Sequence, residues 1–271
     1  MKGGKTSNDQ EPDGRIPAWR RTKRERYESC DYGEKYDLRY ASGLNDLSTL
    51  VERSWISRHI DGKTVLDAGA GTGRFIPCLW AEGRKVVALD SSQAMLAALG
   101  EKYPSVPCIL SDIYALPLAE KSFDAVVCMH VLFHLPDWDL VLSGLVRAIR
   151  PGGGIFFEMR SGEHARLAEK FLYLFGLRKY RDRPKDPAAA TVYVSRARVR
   201  EAMEKAGLEP VRTLSYDLGH SYYLAPLSGF LESLFSRFPL FKSVFAFLEL
   251  HLGSIMPPSL SYRSLYFGRK R

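Results

Sequence analysis

The sequence predicts an α/β fold: a seven-stranded, mostly parallel sheet with helices on both faces. Three observations carry this. Apolar runs rich in β-branched residues recur at 64–68, 85–90, 106–111, 123–129 and 153–159, with further strand patterns at 208–216 and 259–268. Helical patterns at 73–82, 93–102 and 138–149 separate the first five, an alternation that favours parallel strands. The runs are nearly continuous rather than alternating, as expected of strands buried on both faces.

Each element has its own local signal. Residues 1–26 are rich in Gly, Lys, Asp and Pro and predict a disordered basic arm ahead of one domain, 27–271. Residues 27–61 read as an N-terminal helical cap. Within it, Leu44, Leu47, Leu50, Val51, Trp55 and Ile56 recur at spacings of three and four, and Asp61-Gly62 ends the helix. Pro151-Gly152-Gly153-Gly154 marks a turn into the fifth strand. A helix is expected over 163–176 and a polar loop over 178–190. Ser195 is placed to cap a helix that runs to Lys205 and stops at Gly207. Between the last two strands, residues 218–258 read as a helical insertion. One apolar face there carries Leu227, Phe230, Leu231, Leu234 and Phe235, and a second, after Pro239, carries Leu240, Phe241, Val244, Phe245 and Leu248. Charges interrupt both, and neither reaches the roughly 18 apolar residues of a membrane span. The insertion therefore reads as a cap on the sheet, a lid for an apolar substrate, or a peripheral membrane contact through 227–248.

Composition sets the outer limits. The chain has 271 residues, is 45% hydrophobic and 26% charged, and can build a sizeable core unaided. Its formal charge is +8. Residues 1–26 hold eight Lys/Arg against four acids and the last three residues are all basic, so residues 27–268 are near neutral. A solvated tail explains this charge better than a nucleic-acid arm. Cys30, Cys78, Cys108 and Cys128 form no C-x-x-C pair and read as free thiols. Without a secretory segment after Met1, a cytoplasmic setting is expected.

The candidate chemistry gathers where the strands end. Asp67-Ala68-Gly69-Ala70-Gly71-Thr72-Gly73 follows the first strand. Gly69 and Gly71 fit a dinucleotide turn, but Arg74 stands at the third glycine position. A carboxylate at the head of the turn repels pyrophosphate and attracts an ammonium or a sulfonium. Asp90 closes the second strand, where a carboxylate can take both hydroxyls of a ribose. Asp112 closes the third and can accept from an exocyclic amine. Three carboxylates at three successive strand ends describe a nucleoside site with a cationic end. His130 and His134 follow the fourth strand, and a histidine there has the right pKa to take a proton. No residue is assigned to a metal.

On these residues the chain resembles the class I S-adenosylmethionine-dependent methyltransferases of small-molecule type. The resemblance rests on Val65-Leu66-Asp67-Ala68-Gly69-Ala70-Gly71-Thr72-Gly73, Ala88-Leu89-Asp90-Ser91-Ser92-Gln93-Ala94-Met95-Leu96, Asp112-Ile113-Tyr114-Ala115-Leu116-Pro117, Ser122-Phe123-Asp124-Ala125-Val126-Val127-Cys128 and Arg150-Pro151-Gly152-Gly153. It implies a Rossmann-like sheet whose last strand is antiparallel, with S-adenosylmethionine as cofactor. Asp67, Gly69, Gly71 and Gly73 would lie at the methionine side, and Asp90 with Ser91 at the ribose. Met95 would pack on the adenine, Asp112 and the Ile113 amide would read its edge, and His130 would line the sulfonium side. Tyr32, Tyr36 and Tyr40 could close over the cofactor and Arg39 could pair with its carboxylate; His134 is the candidate base.

The expected function is methyl transfer to a small apolar or aromatic acceptor. The basic arm raises RNA or protein as an alternative acceptor. Against a base amino group as target, Met129-His130-Val131-Leu132 stands where an Asn-Pro-Pro-Tyr-type motif would be. A non-catalytic protein with the same fold is a third reading, disfavoured by the intact glycine and carboxylate set.

Overall fold

In a computed structural model of the chain, residues 32–41, 43–174, 191–221 and 227–271 are described, together with Glu28 and Leu224. The basic arm and the loop at 178–190 lie outside the described residues. Two helices, α1 (Tyr32–Tyr40) and α2 (Gly43–His59), precede the sheet. Then follow β1 (Thr64–Ala68), α3 (Ile76–Leu79), β2 (Lys85–Asp90), α4 (Gln93–Lys102), β3 (Cys108–Leu110) and β4 (Phe123–Cys128). The second half comprises α5 (Trp138–Ala148), β5 (Ile149–Ser161), α6 (Gly162–Leu174), β6 (Tyr193–Val194), α7 (Arg196–Lys205) and β7 (Leu208–Tyr216). Two helices, α8 (Ser228–Arg237) and α9 (Pro239–Leu252), precede β8 (Arg263–Lys270).

The strand order is β3-β2-β1-β4-β5-β8-β7, with the two-residue β6 paired to the end of β5. β8 runs antiparallel to both neighbours, and the first five strands are parallel. The sheet is thus Rossmann-like, with its last strand inserted against the direction of the rest. The chain winds outward from β1 through β2 to β3, then returns to the other side of β1 with β4. The carboxyl ends of β1 and β4 therefore flank a topological switch point, where ligands of such sheets sit.

Side-chain alternation divides the core into two layers. Val65, Ala88, Ala125 and Val127 face one cluster, completed by Leu47, Val51 and Ile56 of α2 and by Ile76 and Leu79. Leu66, Leu89, Val126 and Cys128 face the other, with Leu142 and Leu145 of α5 and Val199 and Met203 of α7. Neighbours along one strand serve opposite layers, which is why the strands read as unbroken apolar runs. Phe235 of α8 and Ala246 of α9 join the α2 layer.

Some elements depart from expectation. The helix expected over 73–82 is a single turn, Ile76–Leu79, followed by a 3₁₀ turn at Ala81–Gly83. Pro77 lies in the first turn of α3, where its missing N–H is tolerated, and Glu82 at φ 62° turns the chain out of helix. β3 has three residues rather than six, being a half-exposed edge. Strand pairing in β5 begins at Ile149, ahead of the predicted glycine turn, and the register shifts across it from Phe123–Ile149 to Ala125–Gly154. The last strand starts at Arg263 instead of residue 259. Ser259 and Pro258 instead offer carbonyls to His164 and Ser161 at 3.1 and 2.6 Å.

Candidate active site

The turn after β1 is shaped by glycine at the point of closest approach. Gly69 takes φ 79°, and its N–H donates to the Leu89 carbonyl at 2.7 Å. A Cβ there would fall 2.2 Å from Val131 Cγ2, so no other residue fits between β1 and the segment after β4. Arg74, which broke the dinucleotide pattern, has a structural task. Its guanidinium stacks on Tyr40 and Phe75, centroids 4.1 and 4.6 Å away, and donates to Thr49 Oγ1 at 2.8 Å and Glu52 Oε2 at 3.2 Å. The turn is thereby tied to α1 and α2. Asp37 of α1 makes a second tie: it accepts from Thr72 Oγ1 at 2.6 Å and from Lys102 Nζ at 2.5 Å.

A cavity of about 550 Å³ opens over the carboxyl ends of the strands. Its wall includes Gly69, Gly71, Asp90, Ser91, Met95, Asp112, Ile113, His130 and His134, so most of the predicted set converges in one place. Asp90 Oδ2 accepts from the Gly71 N–H at 2.8 Å and Oδ1 from the Ser92 N–H at 3.0 Å. Ser92, not Ser91, caps α4, accepting from the Met95 N–H at 3.2 Å, which leaves Ser91 on the cavity wall. Asp112 Oδ1 accepts from the Tyr114 N–H at 3.0 Å and holds the loop after β3.

Two predicted residues stand elsewhere. Asp67 is 1% exposed and is not on the cavity wall. Burial, with the nearby Asp90 charge, pushes its carboxyl up to about 7. Gly73 packs away from the cavity: at φ 84°, its missing Cβ makes room for Tyr103, 3.0 Å away. Sequence alone could not separate these two from Gly69 and Gly71, because all four lie within seven residues of one motif.

Beneath the cavity lies a buried ion-pair network drawn from distant segments. His130, at φ 61°, sets Nε2 2.8 Å from Glu52 Oε1 and Nδ1 3.2 Å from Glu158 Oε2. Glu52 also accepts from Tyr216 Oη at 2.6 Å. Arg263 sets Nη1 3.4 Å from Glu52 Oε1 and Nε 2.5 Å from Asp217 Oδ2. Burial drives the His130 pKa well below its ordinary value; Glu158 opposes this, and Arg74, Arg263 and Arg160 add to it, which favours the neutral ring. Burial works against ionised Asp217, yet Arg263 and His220 hold its carboxyl far below the usual range. Glu52, His130 and Glu158 bring donor atoms within 4.8 Å of one another, a spacing open to a metal ion. Here, however, the carboxylates of Glu52, Glu158 and Asp217 already face the guanidiniums of Arg74, Arg160 and Arg263. A divalent ion would add two charges to a balanced set.

The cavity wall also carries Tyr36, Arg39, Tyr40, Phe133, Arg160, Thr191 and Tyr262, beside aliphatic residues such as Leu89, Val131 and Leu135. Tyr36, Arg39 and Tyr40 were expected; the side chain of Tyr32 lies outside the description. Arg160, Thr191 and Tyr262 were missed. The guanidinium of Arg160 lies between the rings of Phe133 and Tyr262, 4.2 and 4.6 Å from their centroids. A signal existed, since Arg160 follows the predicted fifth strand at its carboxyl end and Tyr262 lies at the start of an antiparallel one, on the same edge.

Fold and site are of the kind that class I S-adenosylmethionine-dependent methyltransferase domains carry, and residues 66–157 match the family model described as a methyltransferase domain. Among curated relatives, demethylmenaquinone methyltransferase of Corynebacterium efficiens is 38% identical over 129 residues, covering 45% of this chain and 54% of that protein. Ubiquinone biosynthesis O-methyltransferase of Pseudomonas fluorescens (strain SBW25) is 34% identical over 121 residues, covering 42% and 52%. The chain thus spans about half the length of the curated relatives it matches. Among solved structures, magnesium protoporphyrin IX methyltransferase of Synechocystis PCC 6803, with bound S-adenosylhomocysteine, aligns with TM-score 0.58 at 15% identity, over 93% of this chain and 100% of that one. The methyltransferase bound to the Trm112 activator of Haloferax volcanii aligns with TM-score 0.60 at 16% identity, over 91% and 96%. At such identities the likeness is one of fold.

Proposed function

We propose that the chain transfers the methyl group of S-adenosylmethionine to a small aromatic acceptor by in-line displacement. The observation that carries this is a single cavity joining a nucleoside-type wall (Asp90, Met95, Asp112) to an aromatic one (Tyr36, Tyr40, Phe133, Tyr262). When bound, the cofactor supplies a methyl already activated by its sulfonium, so the protein's task is chiefly alignment. Asp90 accepts from the backbone amides around it, Gly71 on Oδ2 and Ser92 on Oδ1, and a carboxylate's remaining lone pairs are available to ribose hydroxyls. In this reading Ser91 lies beside the ribose, Met95 packs on the adenine, and Asp112 with the Ile113 amide reads its edge. Gly69 and Gly71 present bare backbone to the methionine part. Neutral His130 lies on the sulfonium side without adding a competing positive charge. Asp67 and Gly73 act from below, by supporting the turn.

The acceptor lies among the tyrosines and Phe133, with His134 placed to take a proton from a ring hydroxyl. The relatives' names, which place them on demethylmenaquinone and in ubiquinone biosynthesis, support a ring acceptor. The free thiols of Cys78, Cys108 and Cys128 support a reducing, cytoplasmic setting. Calorimetric titration with S-adenosylhomocysteine is the first test: absence of binding would refute the reading. Release of that product from S-adenosylmethionine with catechol as acceptor is the second. Unchanged turnover of His134→Ala at saturating acceptor would remove His134 as base.

A further inference from the structure

No helix among the described residues is long and apolar enough to cross a membrane. Even so, α9 is apolar around nearly its whole circumference. Phe245, Ala246 and Leu250 turn inward and pack with the layer under α2. Leu240, Phe241, Val244, Phe247, Leu248 and Leu252 turn outward, each between 44 and 74% exposed. A helix apolar on all sides is ordinarily covered on all sides. Of the nineteen large apolar side chains exposed among the described residues, eleven fall between 227 and 260. That concentration exceeds the scattered apolar exposure normal for a surface.

The charges of this hairpin are sorted by side. Both of its carboxylates point into the protein: Glu232 Oε2 accepts from the Leu44 N–H at 2.9 Å, and Glu249 Oε1 from the Leu218 N–H at 2.8 Å. Glu249 is 1% exposed, and burial pushes its pKa up to about 8. The outward side keeps Arg237, His251 and serines, and no acid. Lys242, half-buried at the margin, pairs with Asp46. An outer face that is apolar, carries the positive charge of Arg237 and is free of carboxylates is compatible with an anionic lipid surface in both respects.

We propose that the outer face of the α8–α9 hairpin docks the protein onto the surface of a membrane containing anionic phospholipid, with the helices lying in the headgroup plane. The apolar residues insert, and Arg237 meets the headgroups. The proposal is independent of the methyl-transfer reading.

The test is flotation of the full chain with vesicles of phosphatidylcholine alone and of phosphatidylcholine mixed with phosphatidylglycerol. Three proteins are compared: the natural chain, the exposed-face variant Phe230→Ser/Leu240→Ser/Phe241→Ser, and a chain lacking residues 1–26. The expected result is binding to the mixed vesicles, weaker binding to the neutral ones, and at least about a tenfold loss of partitioning in the triple variant, from the apolar area withdrawn from insertion. Melting temperature and affinity for S-adenosylhomocysteine should be unchanged in that variant, since the substituted side chains are exposed. Failure of the natural chain to float would overturn the proposal. So would full binding by the triple variant with loss only in the truncated chain, which would assign the attraction to the basic arm. A dimer in solution that the triple variant abolishes, without vesicle binding, would assign the face to a second copy of the chain and equally overturn it.

Discussion

Replacing Asp67 with Asn should make the protein more stable at pH 8 and leave it little changed near pH 4. The side chain is 1% exposed, and its folded-state pKa stands at about 7 against an ordinary value of 3.8. In the unfolded chain the carboxyl ionises near pH 4, whereas in the folded protein it keeps its proton until about pH 7. Between those values the unfolded state has released a proton that the folded state still holds, so rising pH favours unfolding. The difference is about three pKa units at about 1.36 kcal/mol each, roughly 4 kcal/mol of stability present below pH 4 and lost by pH 7 and above. Asn has nearly the same shape and no charge, so the variant escapes that loss. Urea unfolding of both proteins at pH 4, 6 and 8 measures it: the gap should open in favour of Asp67→Asn across this window. A gap that stays flat with pH would refute the reasoning, and one that opens in the opposite sense would show Asp67 ionised and stabilising in the free protein.

Other outcomes follow from the same geometry. Glu52→Gln leaves the buried Arg74 and Arg263 short of a countercharge and should destabilise by about 3–5 kcal/mol; pairing it with Arg74→Met, which leaves the Arg263–Asp217 pair intact, should recover part of the loss in thermal melts. Gly69→Ala sets a Cβ against Val131 Cγ2 at a φ of 79° and should destabilise by roughly 1–3 kcal/mol. Val131→Ala should relieve the clash but not the backbone strain, leaving a partial deficit by urea denaturation. Asp37→Ala cuts the tie between α1 and the glycine turn and should weaken S-adenosylhomocysteine binding about tenfold by calorimetry, consistent with about 1.5 kcal/mol for a charge-assisted contact.

How much was legible differs by element. The bounds of β1, β2 and α4 could be read directly from the chain. β2 is a continuous apolar run that stops at Asp90, β1 has a shorter apolar core running into the glycine turn, and α4 begins behind a serine cap. α3 could not be read in the same way, because Phe75-Ile76-Pro77-Cys78-Leu79 has helical apolar spacing whether one turn forms or three. What shortens it is the left-handed Glu82, a backbone state that periodicity does not report. The cofactor-type wall was legible because its carboxylates lie at strand ends, and strand ends are local features. The opposite wall was not. Arg160, Tyr262 and Phe133 are far apart in sequence and meet only because β8 is inserted antiparallel beside β5.

The turn from Asp67 to Gly73 marks the boundary between the two kinds of information. The chain alone determined that a glycine turn with an acidic head follows the first strand, and that two more carboxylates stand at or just past the ends of the next two. Those facts depend on residue type and short spacing, and they suffice to suggest a nucleoside site. Only the tertiary structure decided which of these residues meet the cavity. Gly69 and Gly71 line it, Gly73 yields to Tyr103, and Asp67 is sealed beneath the turn with its pKa raised. Burial and charge balance are properties of the surroundings: Glu52, Glu158, Asp217 and Arg263 reach the floor of this site from four separate elements or turns. No short-range pattern could have indicated that they would neutralise one another there.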